Sequence, residues 1–448
     1  AEPLFRSTYD PFSIDDSYFM DISNFMTDDY PTMTTRPGYT QIGATFGTKV
    51  LGIGTWKDQQ IHAVWNDGVW RRWDGSTWQT VLSGLDTSAN CYFTNFKGNQ
   101  SDECLFMTNG VNGLKKWDGT DAVAFGDAPD DINFITTYSN RLWGASGKEV
   151  HASSLNQPDE WNQFDIETYG DEASYAKTIE TFRGENINAI HGGLSKPIIG
   201  MPNSLHEMYG NLPSDFSFRI ITEETGISNN QSGFVHDGKF FEIHTNGIYQ
   251  YVVSTDGPDR TFSDIVKGYL TNINSTAAGT DGKKFYFQVS PSQILVYDPL
   301  LQTWTVYNGI NATCFEVFQN QFYIGDAQGR VLRLGGTNDA GVPITAYAIT
   351  KPFTNASVAQ KMRWLKMWTF WELAAGSTLN IYFSKTSNVS DWDLLKTVTG
   401  TGTAPTIQRV IIPVDKFQLE NMVRIKFEVI GWGRLHEHTR KYRQLPLY

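Results

Sequence analysis

Gly68-Val69-Trp70-Arg71-Arg72-Trp73-Asp74-Gly75-Ser76-Thr77-Trp78 is the stretch on which the rest of this chain turns. Apolar and aromatic residues are interleaved with basic ones as in a half-buried strand. An Asp-Gly pair then supplies a turn that needs a residue tolerant of positive φ. The same unit returns at Gly113-Leu114-Lys115-Lys116-Trp117-Asp118-Gly119. A strand and turn that recur point to a repeat architecture, in which the tryptophans are packing joints. On that reading Trp73→Ala costs about 3–5 kcal/mol if the ring is fully buried.

Working outward, residues 50–56, 61–65, 69–73 and 78–82 read as four strands joined by tight turns, which is one sheet of a β-propeller. The second of these strands reappears at Cys104-Leu105-Phe106-Met107, Arg141-Leu142-Trp143-Gly144, Pro197-Ile198-Ile199-Gly200, Lys239-Phe240-Phe241-Glu242, Lys284-Phe285-Tyr286-Phe287 and Gln321-Phe322-Tyr323-Ile324. With Ile61 this makes about seven copies at a mean spacing of roughly 43 residues, the period of propeller blades. Third strands follow at Val150, Leu205, Ile248, Ile294 and Val331. Trp78, Trp161 and Trp304 close their units and are read as packing between sheets. Residues 169–186 interrupt the rhythm and read as a long loop or short helix on one face, a common place for binding in repeat arrays.

The expected fold is therefore all-β: an about seven-bladed β-propeller over 49–337, followed by a β-sandwich over 338–448. The change at 338 is visible in longer alternating strands at 362–370, 379–383, 408–412 and 422–429, with loops of Gly-Ser and Thr-Gly-Thr-Gly-Thr. Ahead of the propeller, 1–48 reads as an extended acidic arm. Tyr30-Pro31 and Arg36-Pro37 push the preceding residues away from helix, so the arm must lie on something. The terminal strand is basic through Arg434, Arg440, Lys441 and Arg443, and an interface is favoured there over a dedicated nucleic-acid site.

Aromatics are 14% of the chain, glycines number 40 and charged residues are only 19%, the balance of a turn-rich β protein rather than a helical or disordered one. The formal net charge of −12 leaves nothing in the global balance to attract nucleic acid or an anionic membrane. Cys91, Cys104 and Cys314 are odd in number and lack C-x-x-C spacing, so buried thiols in a reducing compartment are expected, with no disulfide framework or zinc site. The first residues show no basic or apolar region of a signal peptide, and no window approaches the roughly 18 apolar residues of a membrane helix. A soluble protein, or part of a soluble assembly, is expected.

Patterns that carry chemistry are incomplete. His436 and His438 flank Glu437 and offer two imidazoles on one strand face without a third ligand. Gly144-Ala145-Ser146-Gly147-Lys148-Glu149 lacks the spacing of a phosphate loop, and Gly192-Gly193-Leu194-Ser195-Lys196 is not a nucleophile elbow. Asp130-Asp131 and Glu223-Glu224 are adjacent acids, which on a strand point to opposite faces rather than flanking a glycosidic bond. A propeller sialidase would gather arginines in its funnel. Arg183, Arg219, Arg260 and Arg330 fall in different units, and the repeated turn of those enzymes is missing except for a loose likeness at 384–392. No catalytic, metal or cofactor residue is assigned, and an enzyme is not expected.

Asp21-Ile22-Ser23-Asn24-Phe25, Asp29-Tyr30-Pro31 and Thr35-Arg36-Pro37-Gly38-Tyr39 resemble the opening of phage tail proteins that begin with an N…P…R-P-G arm. Asn140-Arg141-Leu142-Trp143-Gly144, then Val150-His151-Ala152-Ser153-Ser154-Leu155 and Pro158-Asp159-Glu160-Trp161, are similar to the most recognisable propeller unit of that family. The family is the tail hub or nozzle of short-tailed phages, including the packaged-DNA stabilisation proteins.

The resemblance implies a virion tail protein, made in the host cytoplasm and assembled as a homohexameric ring under the portal and adaptor. Such a ring carries fibres or a spike and forms the conduit that retains and passes double-stranded DNA, without sequence-specific binding. The larger nozzle proteins have further domains for which 448 residues leave no room. In a cyclic assembly the arm and the basic terminus are the segments free to reach a neighbour, through Arg36, Tyr39, Arg434, Arg440, Lys441 and Arg443. The alternative is a carbohydrate-binding or glycan-cleaving propeller whose funnel holds a sugar.

Overall fold

The computed structural model describes residues 4–5, 12, 14–15, 18–274, 277–355, 359–386, 391–402 and 404–446. The first blade is Val50–Trp56, Gln60–Trp65, Val69–Trp73 and Trp78–Ser83, paired antiparallel in chain order. Six more sheets follow with inner strands at Tyr92–Phe96, Asn133–Tyr138, Ala189–His191, Gly233–His236, Ala277–Thr280 and Ala312–Phe318. Each of the seven apolar runs read as a second strand holds that place in its blade. They are legible because a second strand is covered by a sheet on either side: Cys104–Thr108 is buried at every position.

Blade 5 has three strands and continues into a 3-10 segment, Thr261–Leu270, which buries Val266 and Leu270. Blade 7 takes its fourth strand from far away. Tyr39–Gln41 pairs antiparallel with Val331–Leu334, in register Leu334 to Tyr39 and Leu332 to Gln41. The ring closes where the Thr313 hydroxyl of blade 7 donates to the Val50 carbonyl of blade 1 at 2.7 Å and the Trp65 indole donates to Gly329 O at 2.9 Å. The protein is thus a seven-bladed β-propeller followed by a β-sandwich.

The repeated turn has one geometry in both copies. Asp74 Oδ1 accepts the backbone N–H groups of Ser76 (2.8 Å) and Thr77 (2.7 Å), while Asp118 Oδ1 accepts those of Thr120 (2.9 Å) and Asp121 (3.1 Å). Gly75 and Gly119 sit at φ +101 and +102, where a side chain would be strained. Trp70 and Trp73 are three residues apart in Val69–Trp73 and so point to opposite faces of the sheet. Trp70 is wholly buried between blades 1 and 2, its indole N–H donating to His62 Nδ1 at 3.1 Å. Trp73 is only half-buried, against Trp78 at 5.3 Å between ring centroids. The deep anchor of the motif is Trp70, not Trp73.

The sandwich has two sheets. One is built on Thr345–Thr350, Met422–Ile430, Thr378–Ser384 and Asp393–Thr399; the other on Gly433–Gln444, Met362–Leu373 and Gln408–Ile412. The stretch read as a separate arm is built into both: Tyr18–Ser23 joins the first sheet, and Phe25–Met26 and Met33–Thr35 join the second. An extended segment has unpaired backbone donors and acceptors, and pairing along three sheets satisfies them. One continuous core joins the domains, with Phe285, Trp304 and Val306 of blade 6 packed with Ile22, Phe25 and Met33. No helix among the described residues is long and apolar enough to cross a membrane.

Candidate functional site

Arg36 was expected to reach a neighbouring subunit, and it is instead buried at the joint between propeller and sandwich. Its Nη1 and Nη2 donate to Asp339 Oδ1 (2.8 Å) and Oδ2 (2.7 Å), and its Nε to Asn24 Oδ1 (2.8 Å). Nη1 also donates to Pro37 O (2.9 Å) and Nη2 to Asn308 O (3.2 Å). A guanidinium has five N–H donors, so none remains for another chain. Asn24, at φ +57, turns its backbone N–H to Val306 O (2.7 Å) and its side-chain oxygen also accepts from Asn308 N (2.7 Å). Tyr39 is buried as well, as the first residue of the strand that closes blade 7.

The basic terminal strand divides in two. Arg434 is engaged within the chain by Asp29, by Glu372 at 3.5 Å and by Thr34 Oγ1 at 3.2 Å. Arg440 lies with its guanidinium 3.8 Å from the centre of the Phe353 ring. Lys441 and Arg443 point outward and have no ion-pair partner among the described residues. The sheet places Lys366 opposite Lys441 and Arg363 opposite Arg443, and on the next strand Arg409 stands opposite Phe370 and Ile411 opposite Trp368. Arg363, Lys366 and Arg409 escaped the sequence reading. Their signal was the alternation in Met362–Leu373, which puts cations and aromatics on one face once the shift after Trp364 is allowed for.

His436 and His438 do not form a ligand pair. A second register shift, between Phe370 and Trp371, separates them: His436 meets Glu372 at 3.5 Å, whereas the His438 ring packs with Phe353 and Phe427. Burial pushes the His438 imidazole down to about 3, so it is neutral throughout the physiological range.

The propeller axis holds a cavity of about 300 Å³ lined by inner strands of all seven blades, including Ile53, Phe93, Ile135, His191, Gly279 and Glu316. It is braced across. The 3-10 turn Asn230–Ser232 sends Gln231 Nε2 to Leu51 O at 3.0 Å, linking the entry of blade 5 to blade 1. Burial raises the Glu316 carboxyl to about 7 and the Cys91 and Cys314 thiols to about 12, and lowers His191 to about 4. These thiols are protonated at neutral pH and poor nucleophiles.

The arginines considered for a sialidase funnel are elsewhere. Arg183 lies in the connection to blade 4, Arg219 on that blade's outer strand, Arg260 ahead of Thr261–Leu270, and Arg330 beside Asp326 in blade 7. The loosely similar turn at 384–392 lies partly outside the described residues. Near Arg219, buried Glu207 accepts from Tyr251 Oη (2.5 Å), Ser254 N (2.6 Å) and Tyr209 Oη (2.7 Å). That set ties blade 4 to blade 5 and leaves the carboxylate already saturated with donors.

No protein-family model matches the sequence, and no curated protein matches it. Solved structures similar to it include the RRP9 WD40 repeats, with a TM-score of 0.49 and 8% identity over 67% of this chain and 99% of that one. U3-55K gives 0.48 and 8%, over 67% and 100%. The computationally designed Ika8 protein gives 0.44 and 11%, also over 67% and 100%. These likenesses concern the fold and leave function to the surfaces described above.

Proposed function

We propose that this chain is a structural subunit of a phage tail, a hub or nozzle ring that joins adaptor or portal to the distal tail parts and encloses the path of the DNA. The observation that carries the reading is the role of the residues on which the resemblance rests. Asn24 and Arg36 of the N…P…R-P-G stretch form the buried joint that fixes propeller to sandwich. Their conformation serves a rigid two-domain building block rather than a reaction.

The axial cavity adds a constraint. At about 300 Å³, and crossed by the Gln231 to Leu51 hydrogen bond, it admits no duplex. The conduit of this proposal therefore lies between copies, with the propellers as its wall. A net charge of −12 suits such a wall, since every phosphate neutralised by a cation would add salt-dependent affinity and slow passage.

Native mass measurement with electron microscopy tests the proposal. The expected outcome is a six-fold ring with an axial opening of at least duplex width. A persistent monomer that binds or hydrolyses glycans would overturn it in favour of the carbohydrate reading.

A further inference from the structure

The outer face of the second sandwich sheet is costly as it stands. Arg363 opposes Arg443 and Lys366 opposes Lys441, with Arg409 on the neighbouring strand. Like charges directly opposite one another destabilise a sheet, and none of these five has an ion-pair partner among the described residues. Beside them a groove of about 390 Å³ is lined by Leu365, Lys366, Trp368, Arg409, Ile411 and Pro413. Ile411 is 57% exposed and Leu365 41%. An occupant that relieves this face must bring both carboxylates and apolar side chains.

The chain itself carries such a segment, on another side. Between the third and fourth strands of blade 3, Glu149–Ala152 and Tyr175–Thr178, the chain makes an excursion held rigidly at its base. Buried Arg141 donates to Ser153 O (2.7 Å), Ala173 O (2.6 Å) and Asp171 O (2.5 Å), and the Ser154 and Ser174 hydroxyls share a hydrogen bond of 2.8 Å. Trp161 is buried beneath. The tip does the opposite: Phe164, Ile166 and Tyr169 are 46%, 48% and 41% exposed. Around them stand Asp159, Glu160, Asp165, Glu167, Asp171 and Glu172, with no lysine or arginine from 149 to 176.

The two surfaces lie on different parts of the molecule. The core of the sandwich is continuous with blades 5 and 6 whereas the excursion leaves blade 3, and the basic face turns away from the sandwich's own core. We infer that the acidic, apolar tip of the blade 3 excursion docks in the basic groove of a second copy of this chain. Phe164, Ile166 and Tyr169 lie along Leu365, Trp368 and Ile411, with Glu167 and Glu172 among the cations. The contact is heterologous, head to tail, the kind that closes into a ring. It rests on the ring assembly proposed above and names the surfaces that make it.

Two charge-reversal variants of the full chain test it, K366E/R409E on the face and E167K/E172K on the tip, each checked for an unchanged circular dichroism spectrum. Sedimentation of each alone should show association weakened about tenfold or more relative to wild type, and an equimolar mixture should reassemble, because each reversed surface then meets its complement. Carbodiimide coupling of wild type should join Glu167 or Glu172 to Lys366 or Lys441 between copies. If wild type forms rings but the reversals or the mixture behave otherwise, or if K366E/R409E loses only DNA binding, this contact is wrong while the ring proposal stands. A wild type that stays monomeric at every concentration removes both.

Discussion

Arg36 and Asp339, more than 300 residues apart in the chain, form a two-pronged ion pair at 2.7 and 2.8 Å between the N-terminal segment and the turn entering the sandwich. The arginine is buried and the aspartate partly exposed. Removing one partner of a buried pair leaves the other uncompensated, so Arg36→Ala is expected to cost about 3–5 kcal/mol. Asp339→Asn should cost less, because water reaches that end. Urea unfolding followed by tryptophan fluorescence checks both, and Arg36→Ala should split the transition as sandwich and propeller uncouple.

Trp70 and Trp73 should separate in the same assay. Trp70 is fully buried and hydrogen-bonded to His62, and its truncation is expected to cost about 3–5 kcal/mol. Trp73→Ala, at a half-buried ring, should cost about 1–2 kcal/mol. Equal losses would contradict the placement of the inter-blade anchor.

Two carboxyls shielded from bulk water, one in the core and one on the axial cavity, predict a pH dependence. Glu242 is buried with both oxygens lacking a hydrogen-bond partner among the described residues, and burial holds its carboxyl well above the usual range; Glu316 is raised to about 7. A carboxyl whose pKa is higher folded than unfolded favours the folded state while protonated. That contribution is complete below about pH 4.5 and is lost as pH rises toward the folded value. Glu316→Gln should flatten the decline in stability between about pH 4.5 and 7. Glu242→Gln should be near neutral at pH 4 and stabilising at pH 8. Denaturation midpoints measured across that range decide.

Arg141→Ala should free the blade 3 excursion. Three carbonyls lose their donor, and burial lowers the guanidinium only to about 10, so it is the charged form that holds them. Limited proteolysis should then cut within 153–174 in the variant and leave wild type intact there.

Thiol labelling offers a check on the propeller core. Cys91 and Cys314, raised to about 12 by burial, should resist a maleimide at pH 7.5 in the folded protein, and all three cysteines should react after denaturation.

The blades are legible in the sequence because each repeats an apolar run covered from both sides, and blades 1 and 2 add the aspartate-glycine turn at Asp74-Gly75 and Asp118-Gly119. Trp70 and Trp73 show where local reading stops. Both sit in one strand but on opposite faces, and only the packing of neighbouring blades decides which face is enclosed.

The chain by itself determined the all-β class, a repeat of about seven blades and the change to longer strands near 338, since these follow from composition and short-range periodicity. Tertiary structure alone decided that residues 18–41 thread through three sheets, that Arg36 is enclosed rather than offered, and that Arg363, Lys366 and Arg409 gather beside Lys441 and Arg443. Those outcomes depend on which distant strands pair and in what register, and a shift of one residue moves a side chain from core to surface.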